Sequence, residues 1–421
     1  MIHSTRRCSR AALLLLVLPA CQSAAPQREF FLRDGERVSF LGDSITQNGT
    51  YIQYIDAYLT TRFPDRDFTL VNLGLSSETA SGLSEPGHPS ARPNIHDRLD
   101  LGISATDPTV VTFCYGMNDG IYHPFSPERF EAYQQGVLRL IERLDQREGV
   151  RVVAITPPPF DPLPVQQKLV DADAPEFGYQ KTYRDYESVL RRYADWIMTL
   201  DDRVAAVVNL HTPMVRITEQ RRGRDPKYTL APDGVHPNPF GHWMMAQAIL
   251  LAWDAPGIVE DLRFDAGDRG GELRYVARSK LPMPYDPRWD AASVDASGMA
   301  KKLNRHTLTV LNLPGVREAK YRLFEGQQPL GDFTREQFER GIDLTDLPQL
   351  STNQQAAAVL KLIQEQRGML DPAWRAAWIK PPAKPPAKSL EQVEAEAAAL
   401  EPKIRAAAQP MVITLRLVPL L

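Results

Sequence analysis

The sequence predicts an α/β fold in which helices cover a doubly wound parallel sheet. Short apolar runs rich in β-branched residues alternate with longer amphipathic stretches from about Arg37 to Trp253, the pattern of successive βαβ units. Several of those runs end in turn-forming residues, as at Gly42, Gly74 and Gly116. After Trp253 the pattern breaks into polar and proline-containing segments, which marks a second region. A length of 421 residues, 43% hydrophobic and 24% charged, is globular composition and more chain than one core usually serves.

The strands are expected at residues 38–41, 68–73, 110–115, 152–156 and 204–210. Apolar residues at helical spacing mark helices at 51–62, 127–146, 181–200 and 240–253. In such a fold ligands bind beyond the carboxyl ends of the strands, where the strand order switches. The second region, residues 262–421, is expected to hold a small β-rich unit built on alternating runs at 307–313 and 321–324. Helices are expected there at 353–368 and 389–408, separated by the Lys/Pro/Ala repeat of residues 380–388, a semi-rigid exposed spacer. The alternation of residues 411–418 suits a strand that returns to pair with 307–313.

Arg6, Arg7 and Arg10 ahead of the apolar run at residues 11–18 read as an export signal, since the run is too short to cross a bilayer as a helix. Residues 18–21, Leu-Pro-Ala-Cys, resemble a bacterial lipoprotein processing site. Residues 1–21 are therefore expected to be a signal, with Cys21 as the lipid-bearing first residue of the mature chain; plain secretion with cleavage near Ala20 or Ala25 is the other reading. The expected location is the periplasm or cell envelope, with membrane contact only through that anchor. Cys8 lies within the signal, so Cys114 is the only other thiol, and its apolar surroundings predict a small buried core residue. A formal net charge of -3 with interspersed signs leaves no basic stripe for a nucleic-acid backbone. The absence of CxxC and HExxH spacings gives no support to a metal site, and no cofactor is expected.

The chemistry-bearing residues fall at the ends of these elements. Gly42-Asp43-Ser44 follows the first strand and presents the Ser44 hydroxyl at the lip of the sheet. A serine hydroxyl needs a base to become nucleophilic, and Asp233-Gly234-Val235-His236 supplies His236 as that base with Asp233 to fix its tautomer. Three donors for a tetrahedral oxyanion occur in order: the backbone N–H of Ser44, the backbone N–H of Gly74 and the side-chain amide of Asn118. A fixed tripeptide such as Gly-Asp-Ser arises by chance in about one chain in ten of this length, so the order of the motifs carries more information than any one of them.

On these residues the chain resembles the SGNH, or GDSL-type, esterase and acylhydrolase superfamily, on its carbohydrate-esterase side. Its first motif reads Gly-Asp-Ser-Ile here instead of Gly-Asp-Ser-Leu. The resemblance covers about Arg37 to Trp253, within a hydrolase domain placed at residues 30–258. It implies a flavodoxin-like three-layer α/β/α sandwich, with Ser44 as nucleophile, His236 as base, Asp233 as orienting acid, and Gly74 and Asn118 as oxyanion donors. It implies nothing for residues 262–421.

The expected activity is ester hydrolysis through an acyl-enzyme, on acetyl or another small acyl group carried by a carbohydrate. The alternatives are a lipase-like or acyl-thioesterase-like hydrolase, or a glycan-binding or scaffold protein in which residues 262–421 dominate. Residues 76–98, including Glu78, Glu85, His88, Arg92 and Asn94, read either as a polar loop overhanging the nucleophile, with Glu78 and Arg92 as candidate substrate contacts, or equally as a solvated connection. Tyr115 and Tyr122, with His123 beside them, are candidates for a sugar-binding wall beside Asn118, buried aromatic packing being the preferred reading, and His242 and Trp243 are expected to be structural.

Overall fold

The computed structural model of the protein describes residues 29–267, 271–289 and 301–420. The expected export signal and Cys21 lie outside these residues. Strands β1 (Glu36–Gly42), β2 (Phe68–Gly74), β3 (Val110–Cys114) and β4 (Arg151–Ile155) form a parallel sheet with a later strand, β7 (Ala206–Val208), in the order β2-β1-β3-β4-β7. The two-residue strands β5 (Leu169–Val170) and β6 (Thr182–Tyr183) pair with each other outside it. Every residue of β3 is buried, because helices cover both faces of the sheet and leave no face for solvent.

Seven helices belong to this part of the chain: α1 (Ser44–Asn48), α2 (Thr50–Arg62), α3 (Leu99–Thr106), α4 (Pro127–Asp145), α5 (Tyr186–Ile197), α6 (His211–Arg222) and α7 (Pro239–Ala252). Helix α2 packs on α7, while α4 and α5 meet through the stacked rings of Tyr133 and Tyr193, 4.5 Å apart. The expected flavodoxin-like sandwich with a parallel sheet is therefore the observed one. All five expected strands form. Helices α1, α3 and α6 are additional; α1 is five residues long, too short for a periodic pattern. Helix α5 starts later than expected because residues 182–183 are taken by β6. Helix α7 is buried almost all round, since Tyr54 and Trp289 close over Trp243 from two sides.

The chain runs from β1 outward to β2 and then crosses back to β3 on the other side of β1. The strand order thus reverses at the carboxyl ends of β1 and β3, where a crevice opens. The register brings Gly42 level with Gly74 on one side and with Cys114 on the other, so three strands end together at that crevice.

Beyond the sheet, β8 (Ile258–Asp265), β10 (Arg305–Leu311) and β13 (Ile342–Asp343) form one small sheet, while β9 (Leu273–Ser279), β11 (Lys320–Glu325), β12 (Gln328–Thr334) and β14 (Met411–Pro419) form another. They share a core that includes Leu308, Val310, Leu323, Phe338, Ile413, Leu415 and Leu417. The expected pairing of residues 411–418 with 307–313 does not occur. Strand β14 pairs antiparallel with β9 and β11, and the edges of β10 are taken by β8 and β13. Alternation fixed which face of β14 is buried but carried no information on its neighbours.

The expected helix at 353–368 is longer and runs from Ser351 to Trp378, straight through Gly368 and Pro372. The segment 389–408 is two helices, Leu390–Ala398 and Glu401–Ala408, with Pro402 in the first turn of the second. The helices Ser351–Trp378 and Glu401–Ala408 pack against α2, Leu390–Ala398 lies on the long helix, and Val359, Leu360, Ile363, Leu400 and Ile404 belong to the core of the parallel sheet. Among the described residues, no helix is long and apolar enough to cross a membrane. Because Ile363 is buried in that common core, Ile363→Ala is expected to cost about 2–5 kcal/mol and to lower the melting temperature of one joint transition seen by both circular dichroism and calorimetry.

Candidate active site

Ser44 is the first residue of α1, and Asp43 caps that helix by accepting the Ile45 N–H at 2.9 Å. This leaves the Ser44 N–H without a partner among the described residues. The cap is costly as a carboxylate: burial pushes Asp43 up to about 7, against the pull of the Ile45 N–H and of His236.

The base arrives on the loop before α7. Gly234 adopts φ +85°, and a Cβ there would lie 2.9 Å from the Asp161 carbonyl. Asp161 also receives Arg222 at 2.6 Å and donates its own N–H to the Gly234 carbonyl, which ties the loop to the body of the fold. Asn238 caps α7 by accepting the Gly241 N–H. In the loop so held, His236 Nδ1 lies 2.7 Å from Asp233 Oδ2 and Nε2 lies 2.8 Å from Ser44 Oγ. An ionised carboxylate only accepts, so Nδ1 carries the proton and Nε2 is left to accept from the serine hydroxyl.

Burial opposes ionisation of Asp233, but the His236 ring and the N–H groups of His236 and Val235 outweigh it and hold the carboxyl well below the usual carboxylate range. The hydrogen bond to Asp233 in turn raises His236 above its ordinary value, against partial desolvation.

Asn118 stands at the end of β3 with its amide fixed at both ends. Nδ2 donates to the Glu78 carbonyl at 3.2 Å, and Oδ1 accepts from the Tyr122 hydroxyl at 3.1 Å, which leaves one amide hydrogen free. Asp119 receives the N–H groups of Ala80 and Ser81 at 2.9 and 2.8 Å, stapling the loop after β2 to this turn.

Gly74 departs from its expected part. Its N–H is already donated to Asn72 Oδ1 at 2.9 Å, and glycine is needed there because a Cβ would sit 2.3 Å from the Gln47 nitrogen. Ser77, on the same loop, adopts φ +65° and immediately precedes Glu78, and its backbone N–H has no hydrogen-bond partner among the described residues. Its left-handed backbone is a position the sequence does not announce, since the residue is not glycine.

Glu78, Arg92, Tyr115 and Tyr122 lie in the wall of the site instead of facing solvent. Glu78 pairs with Arg98 at 2.5 Å and accepts from the Tyr115 hydroxyl at 2.6 Å. Arg92 pairs with the buried Glu85 at 2.6 Å and lies over the Tyr122 ring, which stacks on Tyr186 at 5.0 Å. A polar loop of this composition reads as solvated only while its charges are counted singly; pairing is what lets it be buried.

His88 reaches Ser77 Oγ at 3.2 Å, Asn94 caps a short 3-10 turn, and His123 packs on Phe177. His242 is buried against Tyr51 and pushed down to about 3 by that burial, so it is neutral; Trp243 is core. Cys114 is buried and its thiol raised by desolvation. Among the described residues, no group of three His, Cys, Asp or Glu is placed to hold a metal ion.

Residues 40–244 match the model of the GDSL-like lipase/acylhydrolase family. This part of the chain is a GDSL-like lipase/acylhydrolase domain, and the protein carries it as an ester-hydrolase domain of the SGNH type. No curated protein matches the chain. Among solved structures, a gut microbial diltiazem-metabolizing enzyme is similar over 92% of this chain and 98% of its own, at 20% identity and a TM-score of 0.76. A carbohydrate acetylesterase family member from Sinorhizobium meliloti covers 51% of this chain and 96% of its own at 14% identity, with a TM-score of 0.38. The first likeness shows that the shared fold includes the region after the sheet.

His236 is expected to titrate above 6.5 when its ring resonances are followed by NMR, and Asp233→Asn should bring the midpoint to 6.5 or below. The sign follows from the causes: the anionic Asp233 favours the imidazolium, and without it desolvation outweighs the weaker pull of Asp43 and lowers the midpoint.

Proposed function

We propose that this protein is an exported serine ester hydrolase that removes acetyl or another small acyl group from a carbohydrate through a Ser44 acyl-enzyme. The observation that carries the reading is the continuous line from Asp233 through His236 to Ser44, with contacts of 2.7 and 2.8 Å. In the forward step His236 Nε2 takes the hydroxyl proton as Ser44 Oγ bonds to the ester carbonyl carbon. The imidazolium, stabilised by Asp233, then gives that proton to the departing alcohol oxygen. Water repeats the sequence on the acyl-enzyme and releases the acid.

The developing oxyanion is met by the N–H of Ser44, the free amide hydrogen of Asn118 and the N–H of Ser77. One such donor is worth roughly 3–4 kcal/mol of transition-state stabilisation where it has been removed by mutation. A small acyl group is favoured because the side of the site beside Asn118 is filled by Tyr122, with Tyr186 stacked on its ring and Arg92 lying over it. The carbohydrate alcohol rests on the resemblance around Gly42 to Thr46 and on the expected export, which would bring the enzyme to envelope or extracellular glycans.

Hydrolysis of an aryl acetate should exceed that of a long-chain aryl ester, and Ser44→Ala should lose at least about four orders of magnitude in kcat while remaining folded. Retention of activity by a folded Ser44→Ala protein would sink the acyl-enzyme reading. Removing the hydroxyl that aims Asn118, in Tyr122→Phe, is expected to lower kcat about threefold to tenfold with KM little changed, the size of one neutral hydrogen bond. An unchanged kcat would mean that the Asn118 amide holds its orientation unaided.

A further inference from the structure

The helix Ser351–Trp378 lies outside residues 40–244, yet it reaches the elements that carry the candidate nucleophile and oxyanion loop. Three of its side chains at i, i+4 and i+8, namely Arg367, Asp371 and Arg375, run along the β2 edge. Arg367 pairs with Asp56 of α2 at 2.8 Å and donates to the Leu70 carbonyl. Asp371 Oδ2 accepts from Asn72 Nδ2 at 3.4 Å, and it is Asn72 Oδ1 that takes the Gly74 N–H. The same Asp371 oxygen lies 3.1 Å from where a Cβ on Gly49, the C-cap of α1, would sit. Arg375 donates to the Gln47 carbonyl at 3.1 Å and to the Gly74 carbonyl at 3.5 Å.

These contacts address a weakness of the site. A helix of five residues cannot sustain itself, because nucleation is unfavourable and its last carbonyls have no partner within the helix. The Gln47 carbonyl is one of these, and a guanidinium at a helix C-terminus satisfies it and opposes the negative end of the dipole. The Gln47 side chain also accepts the Ser76 N–H at 2.8 Å, so movement of α1 would pull on the loop that presents Ser77.

We propose that Arg375 and Asp371 are positioning residues of the hydrolase centre, holding α1 and residues 72–74 so that Ser44 and the oxyanion donors keep their reactive geometry. The proposal rests on the serine-esterase reading above. It makes the region after the sheet a working part of the site instead of a separate binding module. Neither residue needs to touch substrate, and their effect should therefore fall on kcat and spare KM.

The test uses the full chain and compares wild type with Arg375→Ala, Arg375→Lys, Asp371→Ala and Ser44→Ala. Competent sites are counted by exhaustive labelling of Ser44 with a fluorophosphonate, and kcat is expressed per labelled site. Arg375→Ala and Asp371→Ala are each expected to lose about tenfold in kcat per site with KM within about twofold, while Arg375→Lys, which can still cap one carbonyl, recovers about half of that loss on a logarithmic scale. Ile363→Ala, on the same helix but without contact to α1, should lower stability and leave kcat per site unchanged.

The proposal is overturned if Arg375→Ala retains kcat per site within about twofold of wild type, or if its loss lies in KM alone. Arg375→Gln gives the same comparison should the alanine variant not accumulate in folded form. An active Ser44→Ala would overturn the esterase reading and this proposal with it. An inactive Ser44→Ala beside a fully active Arg375→Ala would overturn the positioning proposal alone.

Discussion

The close approach of α1 to the strand ends is the constraint from which the rest of the site follows. The helix folds back directly after β1, so its second turn presses on the ends of both β1 and β2. A Cβ on Gly42 would lie 2.2 Å from Thr46 Oγ1, and one on Gly74 would lie 2.3 Å from the Gln47 nitrogen. With side chains at those two positions α1 would be forced outward, and Ser44 at its first residue would leave the reach of His236. The strand register contributes equally, since Gly42 and Gly74 can serve one helix only because β1 and β2 pair them at the same level.

Around that contact the protein has buried a set of charges that a short reading would place in solvent. Glu78 with Arg98, Glu85 with Arg92, and Asp119 with two backbone N–H groups all lie beneath the loop after β2. Each is compensated locally, which is the condition for keeping a charge away from water. Their joint effect is to fix residues 76–98 as a wall bound to the Asn118–Asp119 turn, with one amide hydrogen of Asn118 left free. Ile121, Tyr122 and Ser77 hold positive φ values in these loops, backbone conformations that only over-determined surroundings sustain.

The second region is joined to the first more tightly than a tethered module would be. Its helices contribute to the main core, Trp289 stacks on Trp243 of α7, and Arg62 of α2 donates to the Pro256 and Leu303 carbonyls. Its two small sheets keep a core of their own. The likeness of a solved enzyme along nearly the whole chain fits this arrangement, in which the additional helices complete the β2 edge of the hydrolase sheet.

The sequence by itself determined the five strands of the parallel sheet, because fully buried strands must be continuous apolar runs and turn residues mark their ends. It also marked Ser44, Asp233 and His236 as a candidate set, since Asp and His share one loop and the serine follows a strand end, and the fold brings the three within hydrogen-bonding distance. What only the tertiary structure decided are the relations between distant segments. Gly74 turned out to serve packing while Ser77 offers the free N–H, because a backbone donor is defined by conformation and not by residue type. Tyr115 and Tyr122 proved to be wall and anchor, and the helix expected to stop at Gly368 continued to Trp378 because Asp371 and Arg375 find partners in Asn72 and Gly74, far back in the chain, while Trp374 donates to Glu394 on the next helix. Strand β14 likewise chose its neighbours by which edges were still open. Local pattern encodes which face of an element is buried, whereas pairing, capping and charge compensation across the fold depend on long-range contacts that no local pattern contains.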